Sequence, residues 1–147
     1  MSEMFANCYS LTSIDLSNVN TNNVEYMECL FMSCSSLISL NLKNFNTSKV
    51  KSISYMFYGC NSLVSIDLSN FDTSIITDFG NLFCNCKNLE YINLKNFNDK
   101  SLKSKADTFK GIAQNAVICI DSIKAQSLYN LVKNINTQCV VISCEEN

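Results

Sequence analysis

The sequence predicts an α/β solenoid: a right-handed coil stacking one parallel β-sheet beside short helical or 3₁₀ segments, closed by a C-terminal helix–strand cap. Two observations predict it. The first is an unbroken spacing: Phe5, Phe31, Phe57, Phe83 and Phe109 lie 26 residues apart, and Cys8, Cys34, Cys60 and Cys86 keep the same step. The second is a change of apolar period within each unit, from two to about three. Self-similarity at such a period marks a repeat architecture, in which no unit can bury its apolar face alone.

More columns keep the spacing. Leu11, Leu37, Leu63 and Leu89 form one; Ile14, Leu40, Ile66, Ile92 and Ile118 another; Leu16, Leu42, Leu68, Leu94 and Ile120 a third. Asn18, Asn44, Asn70 and Asn96 make a polar column, and Thr21, Thr47 and Thr73 a second, with Asp99 in its fourth place. The units are 5–30, 31–56, 57–82 and 83–108, followed by a cap over 109–147, in one domain spanning 1–147.

In each unit the L-x-x-I-x-L core alternates, which predicts strands near 12–17, 38–43, 64–69, 90–95 and 116–121, paired in parallel. Ile14 and Leu16 point inward, Ser13, Asp15 and Ser17 outward, so Ile14, Ile66 and Phe57 are expected to be nearly fully buried. Val50, Ile53, Met56, Phe57, Cys60 and Leu63 are spaced by about three, a helical or 3₁₀ pattern. Stacking turns the asparagine column into an interior ladder, with Asn44 and Asn70 bonding turn backbone from within.

The ends differ. AVICID at 116–121 is a strand ending in Asp121 and Ser122, either of which can cap a helix. Leu128, Leu131, Val132 and Ile135 hold amphipathic spacing, and CVVIS at 139–143 is a last strand. The first unit opens at Met4-Phe5 without polar cover, so the chain is expected to be a piece of a longer array or to associate through this uncapped coil.

Composition narrows function. The 147 residues are 47% hydrophobic and 16% charged, with net charge −2, no histidine, and 11 basic residues that are all lysine. Imidazole bases and histidine metal ligands are therefore excluded, as are arginine forks for phosphate or guanine. A slightly acidic chain speaks against nucleic acid, and no apolar run is long enough for a membrane-spanning helix.

The wording of the repeats adds a resemblance. SLTSIDLSNVNTNNV, SLISLNLKNFNTSKV and SLVSIDLSNFDTSII, each followed by Met-Phe or Leu-Phe and then Cys, resemble the BspA-like leucine-rich repeats of surface proteins over about residues 4–98. The resemblance implies a leucine-rich solenoid used for adhesion or protein binding, with no catalytic residues. It implies the cell surface, whereas the absence of a visible signal peptide and the odd number of cysteines point to an intracellular, reducing setting.

Candidate chemistry weighs the same way. Four of nine cysteines form a core thiol ladder, expected to be reduced, buried and metal-free; Cys29, Cys84, Cys119, Cys139 and Cys144 follow no zinc spacing. The lone sequon Asn46-Thr47-Ser48 coincides with a structural turn. Asp15, Asn41, Asp67 and Asn93 share an outward column beside Ser17, Lys43, Ser69 and Lys95; alternation of Asp with Asn avoids like charges on neighbouring rungs better than it builds a catalytic pair. No catalytic, cofactor or metal residues are assigned. The candidate protein-binding face is Ser13, Asp15, Asn41, Lys43, Ser65, Asp67, Tyr91, Asn93 and Lys95, with Tyr91 as its exposed aromatic. The function read from the sequence is a non-catalytic protein-binding or adhesion scaffold with an unidentified protein ligand. The alternative is an intracellular structural or assembly component, cytoskeleton-associated, in a protist.

Overall fold

Each 26-residue unit is built from successive tight turns. The N–H of Cys34 bonds the carbonyl of Phe31 at 3.1 Å and that of Leu37 bonds Cys34 at 3.1 Å; Cys60 to Phe57 (3.1 Å) and Leu63 to Cys60 (3.2 Å) repeat the arrangement one unit on. Two residues per unit take left-handed backbone. One column is Glu3, Cys29, Tyr55, Asn81 and Asp107; the other is Asn7, Ser33, Gly59, Asn85 and Gly111. All ten φ angles lie between 54° and 73°. Such a residue reverses the chain and stops a right-handed helix from propagating. The computed structural model describes residues 1–135 and 141–142.

Consecutive units are tied in register by backbone bonds. The N–H groups of Cys29, Phe31 and Ser33 donate to the carbonyls of Ser54, Met56 and Tyr58 at 3.0, 2.9 and 2.7 Å, and the same trio recurs from Tyr55, Phe57 and Gly59. Single parallel bridges join Tyr26, Ser52, Asp78 and Ser104 on another part of the unit. The threonine column completes the ties: Thr21, Thr47 and Thr73 are buried and donate to the carbonyls of Asn46, Asp72 and Asn98, each at 3.0 Å.

Regular secondary structure is sparse. Strands β1 (Ser65–Asp67), β2 (Tyr91–Leu94) and β3 (Val117–Ile120), with the two-residue β4 (Val141–Ile142), form one parallel sheet in the order β1-β2-β3-β4. Ser65 faces Tyr91 and then Val117; Ile66 faces Ile92 and then Ile118. Helix α1 is Gln126–Ile135.

This overturns the predicted right-handed leucine-rich-repeat-like α/β solenoid with a strand and a short helical segment in every coil. Among the described residues one helix of 10 residues and strands of 3, 4, 4 and 2 residues are all the regular structure, and the small sheet is not curled. Residues 12–17 and 38–43 form no strand. Their backbones meet through Ile38 N–H to Thr12 C=O at 3.2 Å, and Val64 N–H reaches Ile38 C=O at 3.4 Å. Residue content alone does not set this, since Ser13-Ile14-Asp15 repeats the sequence of β1 without forming strand; β1 is strand where it pairs with β2 (YINL), whose aromatic and β-branched residues suit a pleated surface. The expected helical segments are also absent. Val50, Ile53, Met56, Phe57, Cys60 and Leu63 are all fully buried, but left-handed Tyr55 and Gly59 split them into separate turns. A run of three-residue turns sends a side chain inward every third position, which imitates a 3₁₀ period. Of the expected last strand, 139, 140 and 143 lie outside the described residues.

The core is a set of side-chain stacks. The rings of Phe5, Phe31, Phe57, Phe83 and Phe109 lie 5.4, 5.9, 5.7 and 5.9 Å apart, with interplanar angles of 15° or less. Ile66 and Phe57 are buried as expected, but Ile14 is only half-buried, as are Phe5, Leu11, Val19 and Val24 of the first unit. These side chains have a neighbouring unit on one side only.

Candidate functional site

The outward column of the candidate face has a structural task that the sequence did not reveal. Asp15, Asn41, Asp67 and Asn93 each accept the backbone N–H two residues on, from Ser17, Lys43, Ser69 and Lys95, at 2.9, 3.1, 2.9 and 3.1 Å. A second column does the same: Asn20, Asn46, Asp72 and Asn98 accept from Asn22, Ser48, Ser74 and Lys100 at 2.9–3.0 Å. These are side-chain turns of the kind that make Asn and Asp favourable where a chain must reverse, and they employ five of the 21 asparagines. The Ser17 N–H and then its hydroxyl hold the Asp15 carboxyl below the usual carboxylate range; the Ser74 hydroxyl and then its N–H do so for Asp72.

The asparagine ladder also sits elsewhere than expected. Asn44 and Asn70 are exposed, not interior. Their amides still reach the preceding turn: Asn44 donates to Ser17 C=O at 3.0 Å, and Asn70 to Leu42, Phe45 and Lys43 at 3.0, 3.2 and 3.3 Å.

Of the candidate face, Ser65 and Tyr91 pair in the sheet, as do Asp67 and Asn93, while Ser13, Asp15, Asn41 and Lys43 lie in stretches without strand. Tyr91 is 42% exposed. It is joined by two residues the sequence analysis did not single out, Ile38 at 55% and Val64 at 44%. They occupy consecutive units: Val64 N–H donates to Ile38 C=O at 3.4 Å, and Tyr91 N–H to Val64 C=O at 3.3 Å. Strict alternation carried back from Ile66 sends Val64 inward. Instead both Val64 and Ser65 are exposed, because the chain turns into the strand at this point. Only the folded backbone carries that signal.

The thiol column is real but its first member differs. Cys34, Cys60 and Cys86 are free and fully buried, whereas Cys8 is free and exposed. Each buried thiol donates to a phenylalanine carbonyl of the preceding unit: Cys34 to Phe5 at 3.0 Å, Cys60 to Phe31 at 3.1 Å, Cys86 to Phe57 at 2.9 Å. The small hydrophobe is thus also a polar tie between rungs. Burial, and then the neighbouring Cys86 and Cys34 thiols, push Cys60 strongly up; burial pushes Cys86 up to about 12. Cys119 is disulfide-bonded, so the cysteines are not uniformly reduced. Because the thiolate is the reactive form, a neutral-pH disulfide reagent is expected to label Cys8 at once and Cys34, Cys60 and Cys86 only after unfolding. Peptide mapping of the labelled protein checks this, and native labelling of Cys60 at the rate of Cys8 contradicts it.

No group of three or more Cys, Asp or Glu among the described residues is placed to hold a metal ion. No helix among them is long and apolar enough to cross a membrane.

The sequence profile described as "Mycoplasma protein of unknown function, DUF285" matches residues 1–120. The chain belongs to the DUF285 family. The DUF285 match covers the four repeats and ends at Ile120, the last residue of β3, before α1. No curated protein and no solved structure matches this DUF285 chain.

Proposed function

We propose that the chain is a non-catalytic protein-binding scaffold that serves adhesion, with a protein ligand recognised at the strand side of the stack. The carrying observation is three large apolar side chains left exposed on consecutive units: Ile38 and Val64 in one column, and Tyr91 one residue past that column's next member, Glu90. Large apolar side chains left exposed on neighbouring units mark an interaction surface, and tyrosine supplies much of the contact energy at such surfaces. The candidate carboxylates support the absence of catalysis, since Asp15 and Asp67 are used to close their own turns. The resemblance of residues 4–98 to BspA-like surface repeats favours adhesion over the intracellular assembly reading.

A photo-crosslinking residue tests this reading. Placed at Tyr91 it is expected to capture protein from a mixture of extracellular-matrix proteins, and placed at exposed Ser48 it is not. The Val64→Lys variant should abolish capture at Tyr91. Equal capture from both positions, or capture indifferent to Val64→Lys, removes the proposal.

A further inference from the structure

The strand side carries a charge pattern that the fold leaves unpaired. Along one column Asp15 and Asp67 alternate with Asn41 and Asn93; along the next, Ser17 and Ser69 alternate with Lys43 and Lys95. In these columns acid falls in the first and third units and base in the second and fourth. Asp15, Lys43 and Asp67 are exposed. None of the three forms an ion pair with another described residue, although Lys51 and Glu25 of the first two units pair at 2.6 Å elsewhere on the stack. The sheet is not curled, so the strand side is flat, with rungs repeating at about 4.8 Å.

We propose that the partner of this side is a second copy of the chain, lying face to face with its units in reverse order. This rests on the protein-binding reading above and names the ligand of that surface. With a two-fold axis along the strand direction, between the second and third units, each column meets itself reversed. Asp15 then lies opposite Asn93 of the second copy, Asn41 opposite Asp67, Lys43 opposite Ser69, and Ser17 opposite Lys95. No like charges face each other, and an amide meets each carboxylate. Lys43 also lies diagonal to Asp67 of the second copy, displaced by two residues or about 6.6 Å along the strand, within reach of a long side chain. The column of Ser13, Ser39, Ser65 and Tyr91 fits by size, since the exposed Tyr91 meets Ser13 and Ser39 meets Ser65.

Other partners fit less well. Two copies with their units in the same order set acid on acid and base on base, which opposes binding. A polyanion or an anionic lipid surface is repelled by Asp15 and Asp67. An unrelated protein would need the same alternation at the same step, which a second copy has by construction. Four rungs of six residues cover on the order of 400 Å² a side, about half of a standard interface. A single contact is therefore weak, and copies crowded on a surface gain strength by number.

Sedimentation equilibrium of the full chain up to about 1 mM tests this, with an expected dimer dissociation constant of about 0.1–1 mM that weakens as salt is raised. Lys43→Glu alone and Asp67→Lys alone should each stay monomeric, because each sets like charge against like charge twice. Mixed in equal amounts, the two variants should dimerise again, since each supplies the sign that the other has lost. Lys49→Glu, beyond the turn that ends this side, should leave the dimer unchanged. Asp67 also closes its own turn on Ser69 N–H. Asp67→Asn keeps that acceptor and stands in if Asp67→Lys does not fold; it should weaken the dimer by about threefold or more. A monomer throughout the range, charge variants that dimerise like the parent, or two reversal variants that stay apart when mixed overturns the inference. If that monomer still captures a matrix protein at Tyr91, the second copy alone is excluded and the protein-binding reading stands; loss of capture as well removes both.

Discussion

Phe57→Ala is expected to lower the stability of the protein by about 3–5 kcal/mol, the range for deleting a fully buried aromatic ring. Phe57 has no exposed surface and stacks between Phe31 and Phe83 at 5.9 and 5.7 Å. The cavity cannot close by collapse. The rungs on either side are held by Phe31 N–H to Met56 C=O at 2.9 Å and Phe57 N–H to Leu82 C=O at 3.0 Å. Phe5 is the natural comparison, half-buried with Phe31 as its stacking partner. Phe5→Ala should cost less than half as much. Urea titration of the two variants decides it, and equal losses remove the stacked-ring account of the core.

Asp99→Ala is expected to cost about 2 kcal/mol, within the span for hydrogen bonds to a charged group and for loss of a helix cap. Asp99 takes the fourth place of the threonine column, and its carboxylate is turned to a different use. Oδ2 accepts from Ser127 N–H and Ser127 Oγ at 2.6 Å each, and from Leu128 N–H at 3.1 Å. These N–H groups belong to the first turn of α1, where orphan donors and the helix dipole favour negative charge. The last repeat is thereby tied to the C-terminal helix. Asp121, one of the two caps expected beside Ser122, instead accepts from Ile123 and Lys124 N–H at 2.8 and 3.1 Å, in the turn before α1. Asp121→Ala should therefore cost less than Asp99→Ala, and Asp99→Asn should keep about half of the lost stability. Helical circular dichroism followed through urea unfolding gives the order; the reverse order contradicts the assignment.

Several features were legible in the residues because they depend only on local pattern. The period of 26 is one, and the inward set from Val50 to Leu63 another, since every member is buried. Helix α1 and the parallel pairing of 65–67 with 91–94, and of 91–94 with 117–120, follow from the same repeated pattern. Conformation was less legible than burial. Tyr55 and Cys29 carry no sign of the left-handed backbone they adopt, and a train of tight turns has the same inward spacing as a 3₁₀ helix.

Other features rest on contacts between residues 25 to 29 apart. The thiol bond from Cys60 to Phe31 C=O, the cap from Asp99 to Ser127, and the threonine tie from Thr73 to Asn98 join groups that no sequence window brings together. Exposure of Ile38 and Val64 likewise depends on where the chain bends into the strand. Which side chains stack, and at what interval, is written in the residues, because apolar burial follows periodicity. The folded stack decided which turn, which partner and which edge each of them received, because hydrogen-bond geometry is set by the neighbouring unit.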